Sequence, residues 1–269
     1  MTASTPEQLE AALRRLAAAE RLLVACDFDG TLSPLVDQPM AARMHPDARA
    51  AIEALTRLPD VAVAFVSGRT LADLRVIAEH ADDSPVTLAG SHGAEYWFPG
   101  SGAAELDDDA ADLALRDRLC ADAEAGVRGV EGAWIEPKAF GLCVHTRLAD
   151  PDGAATANAL VDALVRAAAP HWRRRTGHDI VEYSFRYEGK DSAVAALRER
   201  VDATSVLFAG DDVTDEDALR SLGPGDIGVH VGDRPTAATV SVGGIPAFAA
   251  FLAELARRRA DAQEIAPRE

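Results

Sequence analysis

The chain predicts an α/β fold: a doubly wound parallel-sheet (Rossmann-like) core with a smaller α+β module inserted into it. Three observations carry this. Residues 22–25, 61–66 and 205–209 are short, nearly unbroken apolar runs, as expected of strands buried on both faces. Helical patterns alternate with them. From about Glu105 the alternation gives way to strand pairs broken by helices, and it resumes near Lys190. The expected division is therefore 1–104 plus 186–269 for the core and 105–185 for the insert.

Taken in order, Leu9, Leu13 and Leu16 lie at helical spacing before the first strand. That strand ends in Cys26-Asp27-Phe28-Asp29-Gly30-Thr31. A helix is expected over 46–58, with Ala48, Ile52 and Leu55 as its apolar stripe and Pro59-Asp60 as its stop. The strand 61–66 runs into Ser67-Gly68-Arg69, and Leu71, Leu74, Val76 and Ile77 continue as a helix. A short strand at 86–88 precedes the turn Gly90-Ser91-His92-Gly93.

Within the insert, an acidic helix (about 105–125), strands near 129–136 and 140–147, a helix over 152–168 and strands near 172–176 and 180–185 are expected. The core then returns with Lys190, a helix over 192–200 and the strand 205–209. The string Gly210-Asp211-Asp212-Val213-Thr214-Asp215-Glu216-Asp217 follows. A strand at 227–231 and a helix through Phe248, Leu252 and Leu255 complete it, with a solvated tail expected after Arg257-Arg258-Arg259.

Composition narrows the function. With 27 basic against 44 acidic residues, a net charge of −17 argues against sequence-independent nucleic-acid binding and against attraction to an anionic membrane. A phosphorylated small molecule would need local positive groups. Only Lys138 and Lys190 among the basic residues are lysine, which makes each a candidate. Cys26, Cys120 and Cys143 show no pairing or metal-ligand spacing along the chain, so neither a disulfide framework nor a zinc site is expected. With no apolar signal core and no membrane-length stretch, a cytoplasmic monomer is the expectation.

Four polar groups fall just beyond strands or at helix starts: Asp27 with Asp29, Ser67 with Gly68, Lys190, and Asp211 with Asp212. In an open parallel sheet such ends share one crevice. Two carboxylates separated by one residue crowd negative charge that a hard divalent ion would relieve, leaving one carboxylate to attack phosphorus and the other to handle protons. Taken singly, Ser67 is a helix cap, Lys190 a lysine near a helix start and the Asp211 cluster an acidic first turn. The order of the set gives it meaning.

That ordered set, opened by Asp-Phe-Asp-Gly-Thr, resembles the haloacid dehalogenase superfamily of phosphohydrolases. The resemblance implies Asp27 as nucleophile and Asp29 as acid/base. It also implies Ser67, Gly68 and Lys190 as phosphate ligands, with Mg2+ held by Asp27, Asp29 through its carbonyl, and Asp211. The long interval between Arg69 and Lys190 places the inserted cap late.

Within the late-cap group, the strings Val66-Ser67-Gly68-Arg69, Gly90-Ser91-His92-Gly93-Ala94-Glu95, Glu136-Pro137-Lys138 and His145-Thr146-Arg147 are similar to those of the trehalose-6-phosphate phosphatase family. This implies substrate contacts from Arg69, His92, Glu136, Lys138 and Glu182, with the cap residues meeting sugar hydroxyls on closure. Thr146 replaces an aromatic residue frequent in that family, and Asp191 stands where a glycine often follows the lysine. A related phosphorylated disaccharide or pseudo-disaccharide is the alternative substrate, and a non-catalytic sugar-phosphate sensor the alternative activity.

Overall fold

The computed structural model describes residues 3–104, 110–177 and 179–265. It divides into two compact units, Met1–Ala104 with Glu188–Glu269, and Glu105–Tyr187.

In the first unit, α1 (Pro6–Ala17) starts in a capping box between Thr5 and Gln8, with Pro6 in its first turn. Then come β1 (Leu22–Cys26), α2 (Pro46–Thr56), β2 (Val61–Val66), α3 (Leu71–Ile77) and β3 (Thr87–Gly90). Pro46 in the first turn of α2 and Thr70 capping α3 fix where the two helices begin. Two further strands, β4 (Glu95–Phe98) and β5 (Gly102–Ala103), extend the parallel sheet by an antiparallel hairpin, β4 pairing with β3 and β5 with β4. A connection this short cannot make a parallel crossover, so the chain folds back as a hairpin.

The second unit holds α4 (Ala110–Val127), β6 (Trp134–Lys138), β7 (Gly141–His145), α5 (Pro151–Ala168), β8 (Arg173–Gly177) and β9 (Ile180–Ser184). The start expected for the acidic helix, at 105, lies outside the described residues, and the strand expected from 129 begins only at Trp134. The first unit resumes with α6 (Lys190–Arg200), β10 (Ser205–Gly210), α7 (Glu216–Ser221), β11 (Ile227–Val231), β12 (Val240–Val242) and α8 (Ile245–Ile265).

Strand order in the larger sheet is β12-β11-β10-β1-β2-β3-β4-β5, parallel from β12 to β3. Alternation along β1 explains why all five of its residues are buried. Leu22, Val24 and Cys26 join Leu16, Ile52, Phe248 and Leu252 in one core layer. Leu23 and Ala25 join Val194, Leu197 and Leu219 in the other. Helices thus cover both faces, and the order turns in opposite directions from β1 and β10, so the topological switch lies between their carboxyl ends.

The segment after Arg259 is helical rather than an irregular tail, and Asp261 and Ala262 on it are exposed as expected. The last helix runs on to Ile265, with Arg259 4% exposed and its guanidinium donating to the carbonyls of Leu16 and Ala19. The first helix leaves unsatisfied carbonyls at its C-terminal end, and an arginine from another element satisfies them. Among the described residues no helix is long and apolar enough to cross a membrane.

The smaller sheet is antiparallel, in the order β6-β7-β9-β8. Ile135, Leu142, Val144, Val181 and Tyr183 are buried on one face, which packs on α4 and α5. By strict alternation Glu136, Lys138, Cys143, His145, Arg175 and Glu182 share the other. Gly141 is required where β7 meets β9, because a Cβ there would lie 1.8 Å from the Tyr183 carbonyl oxygen.

Candidate active site

Parallel pairing sets Cys26 beside Ala209 on one side and Phe65 on the other, so Asp27, Gly210 and Val66 leave the sheet at the same level. The Asp27 amide continues the ladder by donating to the Ala209 carbonyl. Its carboxylate is 5% exposed by residue and lies 2.7 Å from the Lys190 ammonium. That ammonium, on the first residue of α6, also donates to Asp215 Oδ1 at 2.7 Å. A lysine at a helix N-terminus opposes the helix dipole, and two buried carboxylates supply the compensation. Burial works against its charge, yet Asp215 and Asp27 outweigh burial and raise its pKa.

Asp215, whose role the linear motif left open, organises the loop after β10. Its Oδ2 accepts from the backbone amides of Asp211 and Asp212, turning the chain so that Asp211 faces Thr31, whose hydroxyl donates to it at 3.2 Å. The legible signal was the fourth residue after Asp211, the spacing of one turn. Gly30, at φ +81°, is needed twice over, since a Cβ there would also lie 2.2 Å from Asp211 Oδ2. Asp212 turns away to an ion pair with Arg234.

Carboxylate oxygens of Asp27, Asp211 and Asp215 lie within 4.8 Å of one another. Three acidic groups around one lysine leave excess negative charge. Burial first, then the neighbouring carboxylates, push the Asp27 pKa well above its ordinary range against the pull of Lys190. Burial and Asp215 likewise push Asp211 up to about 7. An all-oxygen set short of positive charge fits a hard divalent cation.

Asp29 sits apart from this cluster. Both of its oxygens are engaged by Arg69, Nε to Oδ2 and Nη2 to Oδ1, each at 2.7 Å. The expected substrate contact, Arg69, is thus the partner of the expected acid/base. The Asp29 side chain is not among the clustered oxygens, and the carbonyl remains its expected metal-binding atom. Ser67, 2% exposed, accepts from the Arg69 amide in the turn ahead of α3, so the helix cap expected at Ser67 falls to Thr70 instead. His92 packs over Gly68 so closely that a Cβ there would meet its ring at 2.7 Å. Ser91 and His92 hold left-handed φ values of 48° and 60°, a strained pair that sets the imidazole in place.

In the second unit, Glu136 accepts from Lys138 through Oε1 and pairs with His145 Nε2 through Oε2, each at 2.7 Å. Burial opposes its ionisation, but the His145 hydrogen bond and the Lys138 charge prevail and hold its pKa at about 2. Glu182 lies two strands away in register, opposite Cys143 on one side and Arg175 on the other. Arg175 approaches it to 3.9 Å. Burial pushes the Cys143 thiol up to about 12.

An open α/β sheet with an acid-lysine-acid cluster at its switch point, interrupted late by an α+β unit, is the arrangement that the sequence resemblance implied. Residues 25–244 match the family model for trehalose-phosphatase, and the chain belongs to that family. It is 35% identical over 93% of its length to an uncharacterised glycosyl hydrolase of Mycobacterium tuberculosis, spanning 19% of that protein. With the trehalose-phosphate phosphatase of the same organism it shares 32% identity over 95% of its length and 68% of that protein. The C-terminal domain of Candida albicans trehalose-6-phosphate phosphatase superposes with a TM-score of 0.79 at 22% identity, covering 96% of this chain and 99% of that one. The chain is thus a small part of the length of the first of these relatives.

Proposed function

We propose that this protein hydrolyses trehalose 6-phosphate to trehalose and inorganic phosphate, with Mg2+ as its metal. The observation that carries this reading is the buried set Asp27, Lys190 and Asp215, with half-buried Asp211 beside it, at the switch point. Asp27, Asp211 and the Asp29 carbonyl would hold the cation, which when bound offsets the charge of the carboxylates and of a phosphoryl group.

Asp27 attacks phosphorus, the bond from phosphorus to the sugar oxygen breaks, and Asp29 gives its proton to that oxygen. Asp29, again a carboxylate, then takes a proton from a water that attacks the aspartyl-phosphate and releases inorganic phosphate. Lys190 holds Asp27 and the transferring phosphoryl group throughout, while Ser67 and the Gly68 amide donate to its oxygens. Arg69 must loosen its double grip on Asp29 before Asp29 can carry a proton, because a bidentate arginine favours the carboxylate. Glu136, Lys138 and Glu182 bind sugar hydroxyls by charge-assisted hydrogen bonds.

Purified protein incubated with trehalose 6-phosphate and magnesium should release phosphate, and Asp27→Asn should lower the rate by at least about 10³-fold while leaving the fold intact. Turnover that survives Asp27→Asn rules out the nucleophile. Thr146 and Asp191 favour a panel that also includes other phosphorylated disaccharides, since Asp191 follows Lys190 and Thr146 follows His145, the partner of Glu136.

A further inference from the structure

The polar face of the smaller sheet assembles a second ligand set of different chemistry. Cys143 is the cross-strand partner of Glu136, and His145 follows Cys143 by two residues on the same face. One ligand atom from each of Glu136, Cys143 and His145 lies within 4.8 Å of the others. Carboxylate oxygen, thiol sulfur and imidazole nitrogen suit zinc and its chemical relatives, and are a poor set for magnesium. The cluster is invisible along the sequence because its third member comes from the neighbouring strand.

We propose that Glu136, Cys143 and His145 form a binding site for a zinc-class cation, and that its occupation inhibits the enzyme. The binding rests on geometry alone; the inhibition also rests on the proposed role of Glu136 as a sugar ligand.

The surroundings favour such a site. Trp134 stacks on the His145 ring with centroids 4.6 Å apart and planes 5° from parallel, which fixes the direction of Nε2 toward Glu136. Lys138 occupies Oε1 and leaves Oε2 on His145. Cys143 is 1% exposed, so the sulfur is dry, whereas the Glu136 side chain is 42% exposed and gives the ion an entrance. Lys138 repels an incoming cation, but Glu182, which faces Cys143 across the strand pair, adds a second negative charge beside the thiolate.

On binding, the Cys143 sulfur loses its proton to solvent and bonds the metal. His145 moves its proton from Nε2 to Nδ1 and gives the Nε2 lone pair. Glu136 Oε2 exchanges its contact with His145 for the metal, and water fills the fourth position. Glu136 is then no longer available to a sugar hydroxyl.

Cobalt(II) titration of the whole protein in excess magnesium tests the site without turnover. The core cluster offers only oxygen, so a thiolate-to-cobalt charge-transfer band reports the second site alone, and it should appear, be displaced by zinc, vanish in Cys143→Ser and persist in Cys120→Ser. Phosphate release by Cys143→Ser without zinc should stay within about twofold of wild type, with tolerance of zinc raised by about tenfold or more. No sulfur band in the wild type, a band retained by Cys143→Ser, or unchanged zinc inhibition in that variant overturns the proposal. Should Cys143→Ser not fold, His145→Gln should weaken cobalt binding at least about tenfold, and unchanged affinity overturns it. A band in a protein that hydrolyses no sugar phosphate defeats the phosphatase reading and leaves the metal site standing.

Discussion

The two polar clusters of this molecule are built by opposite means. At the switch point of the larger sheet, Asp27, Lys190 and Asp215 are 5%, 3% and 0% exposed, and their positions follow from strand ends and a helix start. On the smaller sheet, Glu136, Lys138 and His145 are held by alternation along two strands and are half-buried. The first cluster has more acid than base and lacks a compensating charge; the second is balanced by its own hydrogen bonds. Buried, uncompensated charge suits chemistry on a charged group with a cation, and a solvated, balanced network suits exchange of hydrogen bonds with a polyol.

The contrast can be broken most forcefully at Lys190. Replacing it by Met should cost about 3–5 kcal/mol in urea unfolding without metal, because Asp27 and Asp215 would be left as buried carboxylates without their cation. A loss no larger than that of an exposed lysine would mean the cluster is not electrostatically coupled.

A smaller effect belongs to the smaller sheet. Glu182→Gln should raise KM for the sugar phosphate by about tenfold with little change in kcat, the pattern of a lost ground-state contact. A fall in kcat alone would move Glu182 from recognition to chemistry.

Smallest is the acid response of Glu136. Its folded pKa, about 2, lies below the ordinary 4.5, so its contribution to stability is full above pH 4.5 and is lost as pH falls through 2. Thermal unfolding of wild type and Glu136→Gln should therefore converge as pH is lowered across that window. The difference will be modest, since the 42% exposed side chain is screened by solvent. Parallel curves would show that the His145 and Lys138 contacts do not survive in solution.

Legibility followed the same division. The strands Val61–Val66 and Ile227–Val231 have the expected bounds, because an uninterrupted apolar run between turn residues has only one way to be buried twice. The short strand Val240–Val242 and the hairpin Glu95–Phe98 with Gly102–Ala103 were not legible, being sheet edges whose pairing depends on neighbours distant in sequence or on a tight reversal. The last helix was seen at Phe248, Leu252 and Leu255 but not beyond Arg259, because only the carbonyls at the end of the first helix explain a buried arginine there.

By itself the sequence determined the α/β class, the interruption by an α+β module and the ordered polar residues Asp27, Asp29, Ser67, Lys190 and Asp211, since period and strand-end position are local properties of a chain. Tertiary structure alone decided which of those charges meet. It joined Lys190 to Asp215 across 25 residues, gave Asp29 to Arg69 across 40, and brought Cys143 beside Glu136 and His145 through strand register. Such pairings depend on how strands are ordered and aligned, and those relations bind residues far apart in the chain, where no local pattern can record them.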